Sequence, residues 1–273
     1  MGRFKAACVQ LRSSDDVNEN IAIASRLIRE AKAMGADFIA TPENTTLMAP
    51  DGGAKIEKTF AEDADPALPI FRALAKELGI HLLIGSLAIK VSKTKTANRS
   101  FLIGPDGGIA ARYDKIHLFD VDLPSGEIYR ESNTVAGGDR AVLAETPWGR
   151  IGLTVCYDLR FPQLYRKLAQ AGAFLLTVPA AFTETTGKAH WHTLLKARAI
   201  ENGAFVVAPA QGGLHANGRR TYGHSLIVAP WGEVLAEGDT EPGVILAEID
   251  PALAADARAR VPNLRHDRDF QGP

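Results

Sequence analysis

Short apolar runs alternate with amphipathic segments along almost the whole of this chain, and that alternation limits the folds it can adopt. Phe4–Gln10 is mostly small and apolar, which predicts a buried strand. Val17–Met34 carries apolar residues in steps of three and four, which predicts a helix, and Gly35 follows as its stop. Asp37–Thr41 predicts the next strand, which Pro42 ends. The chain therefore begins as a strand–helix–strand unit.

Turn sequences at Gly104–Gly108, Pro147–Gly149 and Pro230–Gly232 each separate two strand-like runs. Such hairpins join antiparallel strands, whereas a purely parallel sheet needs longer crossovers. With about a dozen strands and four to five helices, the pattern predicts an α/β (α+β) fold of two mixed sheets packed on each other with helices outside. The other predicted helices are Pro69–Leu78, Pro162–Ala171, Ala189–Asn202 and Pro251–Arg260, and the other predicted strands are Ile80–Val91, Ala97–Gly104, Ile109–Tyr113, Val142–Thr146, Arg150–Val155, Ala173–Val178, Phe205–Ala210, Ser225–Ala229, Val234–Glu237 and Gly243–Ile249.

Composition and charge exclude several classes of protein. Of the 273 residues, 46% are hydrophobic and 23% are charged, an ordinary globular balance, and the formal net charge is -1. That charge gives no general affinity for nucleic acid or acidic membranes, and no apolar run approaches the roughly 20 residues of a membrane-spanning helix. We therefore expect neither nucleic acid nor a membrane as a partner. We expect one domain over residues 1–273, with a charged tail at 262–273 that is either loose or docked on a partner subunit.

The chain has two cysteines, Cys8 and Cys156, too few for a disulfide framework. This favours a reducing, cytoplasmic compartment and two free thiols. Cys8 lies within an apolar run, which is typical of a buried structural cysteine. Cys156 instead follows an apolar strand and precedes a helix, so we expect it on a sharp turn of the nucleophile-elbow type, where backbone N–H groups can hold an oxyanion. A buried structural thiol is the alternative for Cys156.

Two further residues suit a cysteine nucleophile. Glu43 directly follows a predicted strand, so its carboxylate can reach the sheet edge and accept the thiol proton. Lys115 lies among aromatic and apolar residues, where a desolvated ammonium can stabilise an oxyanion or lower a thiol pKa. A solvated loop glutamate and a lysine with a paired head group are the ordinary alternatives. Neither residue is specific by itself.

The sequence words around these residues are specific when taken together. Pro42–Asn44, Tyr113–Phe119 and Val155–Phe161 occur in this order and at these separations, followed by Gly223–Ser225 and Pro230–Glu233. They resemble the nitrilase superfamily of carbon–nitrogen hydrolases over nearly the whole chain. The resemblance implies a four-layer αββα sandwich. It also implies an amide hydrolase that uses a cysteine thioester and needs neither a metal nor an organic cofactor.

The resemblance assigns roles to individual residues. It implies a catalytic triad of Glu43, Lys115 and Cys156, and a second glutamate, Glu131, that positions the lysine and the substrate. Lys115 and the backbone N–H of Tyr157 are expected to hold the oxyanion. Arg160 can bind a substrate carboxylate through two parallel hydrogen bonds, and a structural pair with Asp158 or Glu201 is its alternative. The resemblance also implies that Phe182 and Thr183 line the substrate pocket.

Sequence features within the superfamily indicate a substrate class. The word beginning at Cys156, Cys-Tyr-Asp-Leu-Arg-Phe, resembles amidases acting on deaminated glutathione and omega-amidases, and differs from the Cys-Trp-Glu of true nitrilases. We expect a small linear carboxylated amide, with deaminated glutathione as the first choice and hydrolysis to α-ketoglutarate and Cys-Gly. The alternatives are α-ketoglutaramate or succinamate, and other amides or N-carbamoyl compounds. His192, where many relatives carry an acidic residue, leaves the substrate choice open.

Other classes of function fit the sequence less well. A cysteine–histidine hydrolase lacks any motif that links a histidine to Cys156, and His190 with His192 makes a poor metal pair because the two face different sides of a helix. His117 and His224 are expected to be structural hydrogen-bonding groups. A non-catalytic binding protein of this fold would have lost a triad member, and acyl transfer to an amine would use the same triad. The resemblance implies a homodimer or higher homo-oligomer.

Overall fold

The computed structural model describes residues 2–123 and 126–272. Over these residues the chain forms 17 strands and six α-helices. The strands are β1 Phe4–Gln10, β2 Phe38–Ala40, β3 His81–Lys90, β4 Thr96–Ile103, β5 Ile109–Asp114, β6 Asp120–Asp122, β7 Ile128–Arg130, β8 Val135–Ala136, β9 Val142–Thr146, β10 Gly149–Leu153, β11 Ala173–Thr177, β12 Phe205–Ala208, β13 Gly212–Leu214, β14 Arg220–Tyr222, β15 Leu226–Val228, β16 Val234–Glu237 and β17 Gly243–Ile249. The α-helices are α1 Val17–Ala33, α2 Gly52–Glu57, α3 Ala67–Leu78, α4 Pro162–Gln170, α5 Glu184–Asn202 and α6 Pro251–Arg260.

Two mixed sheets contain most of the strands. One sheet has the order β17-β1-β2-β3-β4-β5, with β8 paired to β4, and the other has the order β16-β15-β12-β11-β10-β9. Each sheet has three parallel strands at its centre, β1-β2-β3 and β10-β11-β12, and antiparallel strands on both sides. The carboxyl ends of these central strands form the edge at which α/β sheets usually bind ligands.

Alternation of side chains in β1 shows how the layers are formed. Ala6 and Cys8 belong to the core between the two sheets, whereas Ala7 and Val9 belong to a second core beneath α1 and α3. Helices α4, α5 and α6 pack on the outer face of the other sheet, and buried residues beneath them, such as Tyr165, form one continuous cluster with the core between the sheets. The fold is therefore a four-layer αββα sandwich, as the sequence predicts.

The element boundaries agree well with the prediction in the sheets and less well near the cleft. All five predicted helices and all twelve predicted strands are present, and so are the three predicted hairpins. The predicted helix at Ala189–Asn202 begins earlier, at Glu184, because Thr183 caps it with a hydrogen bond from the Thr186 N–H. Helix α2 and strands β6, β7, β8, β13 and β14 are additional elements.

Part of the charged tail docks on its own chain. Arg166 of α4 contacts Asp267 and donates a 2.8 Å hydrogen bond to the Asn263 carbonyl, and Gln170 donates to the Leu264 carbonyl at 3.1 Å. Residues 268–272 extend beyond these contacts as exposed chain, and Pro273 lies outside the described residues. Over the described ranges, none of the helices has the length and apolar character that crossing a bilayer requires.

Candidate active site

Cys156 lies three residues beyond the end of β10, at the first position of a short 3-10 helix, Cys156–Arg160. Its backbone is in the left-handed region, with φ 49°, a strained conformation for a non-glycine residue. Its N–H donates a 2.8 Å hydrogen bond to the Pro179 carbonyl, which ties the turn to the chain that follows β11. The thiol side chain is buried, and the sharp turn expected between strand and helix is present.

Asp158 holds this turn against the segment that carries Lys115. Its carboxylate accepts hydrogen bonds from the Val155 N–H at 2.9 Å and the Tyr113 hydroxyl at 2.6 Å. It also accepts from the His117 N–H at 3.0 Å and lies 2.7 Å from His117 Nδ1. Tyr113 and His117 are each two residues from Lys115. The nucleophile turn and the lysine are therefore fixed relative to each other, and His117 has the structural role that the sequence suggests.

Glu43 is placed by a loop that passes directly over Gly85 of β3. A Cβ atom at Gly85 would lie 2.0 Å from the Thr41 carbonyl oxygen, so only glycine allows this crossing. The Glu43 side chain is buried, and its Oε2 accepts a 3.0 Å hydrogen bond from the Ala181 N–H. Glu43 is therefore a buried carboxylate at the edge of both sheets, and not the solvated loop residue of the alternative.

Lys115 lies between two carboxylates. Its Nζ is 2.9 Å from Glu43 Oε1 and 2.8 Å from Glu131 Oε2, and its side chain is only 2% exposed. Asn98 Nδ2 donates to Glu43 Oε1 at 2.9 Å and to Glu131 Oε1 at 3.1 Å, so an amide group also links the two acids. The Phe119 N–H donates to Glu131 at 2.7 Å. The Lys115 ammonium is thus ion-paired with the carboxylates of both Glu43 and Glu131.

Burial and charge set the protonation of the three central groups. Burial would raise the pKa of Glu43, but the positive charge of Lys115 lowers it below its ordinary value. Burial would lower the pKa of Lys115, but the charges of Glu131 and Glu43 hold it well above its ordinary value. Burial raises the pKa of the Cys156 thiol well above its ordinary value, and the charge of Glu43 raises it further. At neutral pH the site therefore contains a carboxylate, an ammonium and a neutral thiol.

These groups open into a cleft of about 410 Å³, a size typical of small-molecule sites. The structure brings together every residue that the sequence suggests for the site. They are Glu43, Lys115, Glu131, Cys156, Tyr157, Arg160, Phe182 and Thr183. The cleft can admit a small substrate to the Cys156 sulfur.

Arg160 faces the cleft without a carboxylate partner among the described residues. Its guanidinium lies 5.3 Å from the Phe182 ring centre and 5.9 Å from that of Tyr157, and Nη1 is 3.2 Å from His190 Nδ1. The suggested structural pair with Asp158 or Glu201 is wrong. Asp158 is engaged as described above, and the Glu201 carboxylate accepts from Arg198 at 2.8 Å.

Several residues at the site are missing from the sequence prediction. Asn98, which bonds to Glu43 and Glu131 behind the cleft wall, lies inside β4, where nothing in the local sequence distinguishes it from an ordinary strand residue. Lys55 of α2 and Arg219 of the loop before β14 line the cleft. Neither cation stands in a sequence motif, because only the packing of α2 and of the loop before β14 brings Lys55 and Arg219 to the site.

One group of metal-ligating side chains lies together in the described part of the chain. His192, His224 and Glu237 place one ligand atom each within 4.8 Å of the others. The Glu237 carboxylate lies 2.8 Å from His192 Nε2 and 3.0 Å from His224 Nδ1, so the group is also a hydrogen-bonded cluster. None of the three lines the cleft. The structure pairs His192 with Glu237 and not with His190.

Comparison with known proteins agrees with the geometry. The family model described as carbon-nitrogen hydrolase matches residues 5–259. A deaminated glutathione amidase of Synechocystis sp. is 41% identical over 270 residues, covering 97% of this chain and 98% of that protein. An omega-amidase of Homo sapiens is 37% identical over 271 residues, covering 98% and 96%.

Solved structures of two other proteins superpose on this chain over nearly its whole length. The Caenorhabditis elegans NitFhit protein superposes with a TM-score of 0.91 and 36% identity, covering 98% of this chain and 66% of that one. An amidase variant from Nesterenkonia sp. AN1, in which acrylamide has added to the active-site cysteine, superposes with a TM-score of 0.80 and 26% identity, covering 94% and 98%. The chain belongs to the carbon–nitrogen hydrolase family and is a hydrolase acting on carbon–nitrogen bonds other than peptide bonds.

Proposed function

We propose that this enzyme hydrolyses a small linear carboxylated amide through a thioester on Cys156, and that its substrate is deaminated glutathione, giving α-ketoglutarate and Cys-Gly. The observation that carries the proposal is the convergence of Glu43, Lys115 and Cys156 in one cleft with a guanidinium, Arg160, that has no carboxylate partner among the described residues. Such a guanidinium suits a substrate carboxylate.

The first half of the reaction forms the thioester. Glu43 accepts the Cys156 proton as the sulfur attacks the amide carbonyl carbon, since the raised thiol pKa keeps that proton in place until attack. The carbonyl oxygen becomes an oxyanion, which the Lys115 ammonium and the Tyr157 N–H stabilise. Glu43 then donates its proton to the leaving nitrogen as the carbon–nitrogen bond breaks. The products are the free amine and an acyl group on sulfur.

The second half releases the acid. Glu43, again a carboxylate, accepts a proton from water, and the oxygen attacks the thioester carbonyl carbon. The carbon–sulfur bond breaks, and the proton held by Glu43 returns to the sulfur. Glu131 keeps Lys115 in place through its 2.8 Å contact. Phe182 and Thr183 form part of the substrate pocket.

The names of relatives support this substrate class. The Synechocystis sp. relative is a deaminated glutathione amidase, and the Nesterenkonia sp. amidase reacts at its active-site cysteine. The 37% identity to a human omega-amidase favours α-ketoglutaramate as the second candidate. Either substrate is an amide that carries a carboxylate, which Arg160 suits.

The test is release of α-ketoglutarate from deaminated glutathione and from α-ketoglutaramate, with the Cys156→Ala protein as the blank. We expect faster turnover of deaminated glutathione and none by the variant. Faster turnover of α-ketoglutaramate would assign an omega-amidase. Activity retained by Cys156→Ala would refute the cysteine mechanism.

We further propose a cytoplasmic enzyme that forms a homodimer or higher homo-oligomer, as one domain with the tail at 262–273 near the subunit interface. Free thiols at Cys8 and Cys156 suit a reducing compartment. The Phe270 side chain is 89% exposed, which suits contact with a second subunit. Light scattering after gel filtration tests the assembly, and deletion of residues 268–273 tests the tail. A monomeric mass for the full chain would contradict the proposal.

A further inference from the structure

Four cationic side chains line the cleft in addition to Lys115: Lys55, Arg130, Arg160 and Arg219. Arg130 is paired with the Asp122 carboxylate at 2.8 Å. Arg160 is assigned above to one substrate carboxylate. Within residues 2–123 and 126–272, neither Lys55 nor Arg219 takes part in an ion pair. The charges of Glu43 and Glu131 act on Lys55 from a distance, but neither cation has a carboxylate in ion-pair contact. Two such cations need a separate explanation, because ionised groups in a partly buried site are normally paired.

Arg219 is held in place by part of its guanidinium group only. Nη2 donates a 2.6 Å hydrogen bond to the Ala181 carbonyl, and the guanidinium lies 5.3 Å from the Tyr129 ring centre. Nε is buried and has no hydrogen-bond partner among the described groups. Buried guanidinium N–H groups are costly to leave unpaired. Nε is itself closed off from the cleft, so a substrate carboxylate would be bound by the part of the guanidinium that lines it.

Lys55 is placed by the packing of α2 against the cleft wall. Asp51 caps the helix, because its carboxylate accepts a 2.9 Å hydrogen bond from the Ala54 N–H. A Cβ atom at Gly52 would lie 2.5 Å from Thr134 Cγ2, so the start of the helix lies directly on that residue. Burial lowers the pKa of Lys55, as expected of an ammonium held partly away from water.

The loops that carry the two cations are joined. Asn217 Nδ2 donates a 2.9 Å hydrogen bond to the Ala49 carbonyl, and Asn217 Oδ1 accepts from the Arg219 N–H at 3.0 Å. This links the loop before β14 to the segment that leads into α2. Lys55 and Arg219 are therefore held on neighbouring walls of the same cleft, and an anion can be bound without ordering either loop afresh.

Arg160 lies in a different set of contacts. Its guanidinium contacts the rings of Tyr157 and Phe182 and the imidazole of His190, none of which contacts the Arg219 guanidinium. The cleft thus has one cation, Arg160, at the end of the 3-10 helix that begins at Cys156, and two more, Lys55 and Arg219, on α2 and on the loop before β14.

We propose that Lys55 and Arg219 form a second carboxylate-binding subsite, so that the preferred substrate is an amide with two carboxylates, one bound by Arg160 and one by this pair. The proposal rests on the proposed amidase function and specifies its substrate class. Deaminated glutathione has two carboxylates, on its α-keto acid and its glycine, whereas α-ketoglutaramate has one. The subsite therefore favours the larger substrate.

A binding experiment tests the subsite apart from turnover. The Cys156→Ala protein is titrated in a calorimeter with N-glutaryl-alanylglycine, which has the chain length and the two terminal carboxylates of deaminated glutathione, and with its two monoamides, each lacking one carboxylate. We expect each monoamide to bind at least about tenfold more weakly, the loss that follows from one charge-assisted contact. Adding Lys55→Gln or Arg219→Gln should abolish the difference for one monoamide only. That monoamide identifies the carboxylate that the pair binds.

Arg220→Gln is the matched control, because Arg220 is the exposed neighbour of Arg219 and does not line the cleft. It should leave all three affinities unchanged, and Lys55→Arg should retain most of the preference. Equal affinities for the three ligands, no binding of any of them, or equal losses for all three in the Lys55 and Arg219 variants would overturn the subsite. Failure to hydrolyse deaminated glutathione would refute the proposed function instead, and leaves this binding result valid.

Discussion

The Tyr113 hydroxyl donates a 2.6 Å hydrogen bond to Asp158 Oδ2, and both side chains are buried. Tyr113 lies two residues before Lys115 and Asp158 lies two residues after Cys156. This bond therefore joins the segments that bring the oxyanion-stabilising cation and the nucleophile together. With the Val155 and His117 contacts, the Asp158 carboxylate satisfies four donor positions from two parts of the chain.

Replacing Asp158 with Asn should destabilise the fold and lower activity together. Asparagine has one acceptor oxygen in place of two, so at least one buried donor loses its partner. We expect the free energy of unfolding to fall by about 1–3 kcal/mol, measured by urea denaturation, with a lower kcat. Asp139→Asn, on an exposed side chain, is the control and should change neither quantity. Unchanged stability in Asp158→Asn would contradict the role of this carboxylate.

Replacing Glu43 with Gln should separate thiol reactivity from catalysis. Loss of the acid–base group should lower kcat by about 10²–10⁴-fold. Burial and the charge of Glu43 raise the pKa of the Cys156 thiol, and Lys115 opposes them. Removing that negative charge should therefore lower the thiol pKa and move the midpoint of iodoacetamide alkylation to lower pH. At neutral pH the Cys156 thiol of the Glu43→Gln protein should therefore be alkylated faster than that of the wild type.

Mass spectrometry of the alkylated peptides follows Cys156 separately from Cys8. Cys8 is fully buried between the sheets, where burial raises its pKa, and it serves as the internal control that should not react in either protein. An alkylation midpoint that stays the same or rises in Glu43→Gln would show that Glu43 does not act on the thiol as described.

Replacing Lys115 with Met should reverse how stability depends on pH. In the wild type the lowered pKa of Glu43 adds stability above the ordinary carboxyl pKa, which is lost as pH falls through the folded value. Without the cation, burial leaves Glu43 with a raised pKa, so the variant should lose stability as pH rises instead. At neutral pH the loss should be about 3–5 kcal/mol.

Urea denaturation between about pH 2 and 8 measures this reversal. The wild-type dependence falls between the folded pKa of Glu43, about 2, and its ordinary value of 4.5, and the loss in the variant begins above that ordinary value. Lys188→Met is the matched control, since it removes a lysine from an exposed i,i+4 pair with Glu184. A Lys115→Met protein whose stability still rises with pH would contradict the pairing of Lys115 with an ionised Glu43.

The sheets could be predicted from sequence because local signals agree with the tertiary structure. The turn at Pro230–Gly232 connects two strands that pair as expected, and Gly79 ends α3 in the left-handed conformation. Helix α5 shows where such signals fail. Gly187 lies in its second turn and suggests a later start, yet a Cβ atom there would lie 2.2 Å from Tyr222 Cβ. The glycine is required by packing that the sequence does not reveal.

The triad could be predicted because each member stands in a characteristic word, whereas the surrounding groups could not. In the sequence Asn98 looks like any other strand residue, and only the tertiary structure shows that it bonds to both Glu43 and Glu131. Lys55 lies in a six-residue helix that opens with two glycines and has no fully buried residue, a segment without a periodic signal. Residues whose role depends on the approach of distant loops are invisible to local patterns.

Replacing Arg160 with Gln should act on the binding of carboxylated substrates. The guanidinium can bind a carboxylate through two parallel hydrogen bonds, so its loss should raise KM for glutaramate by about 10–100-fold with a smaller effect on kcat. Pentanamide has the same length and no carboxylate, and its turnover should change by less than about threefold, on the scale of uncharged contacts.

Arg160→Lys should recover only part of the loss because an ammonium lacks the planar fork. Arg166→Gln, which removes an arginine outside the cleft, controls for a general loss of positive charge. If glutaramate and pentanamide lose activity equally, Arg160 supports the site through its contacts with Phe182 and Tyr157, and the carboxylate must be bound elsewhere.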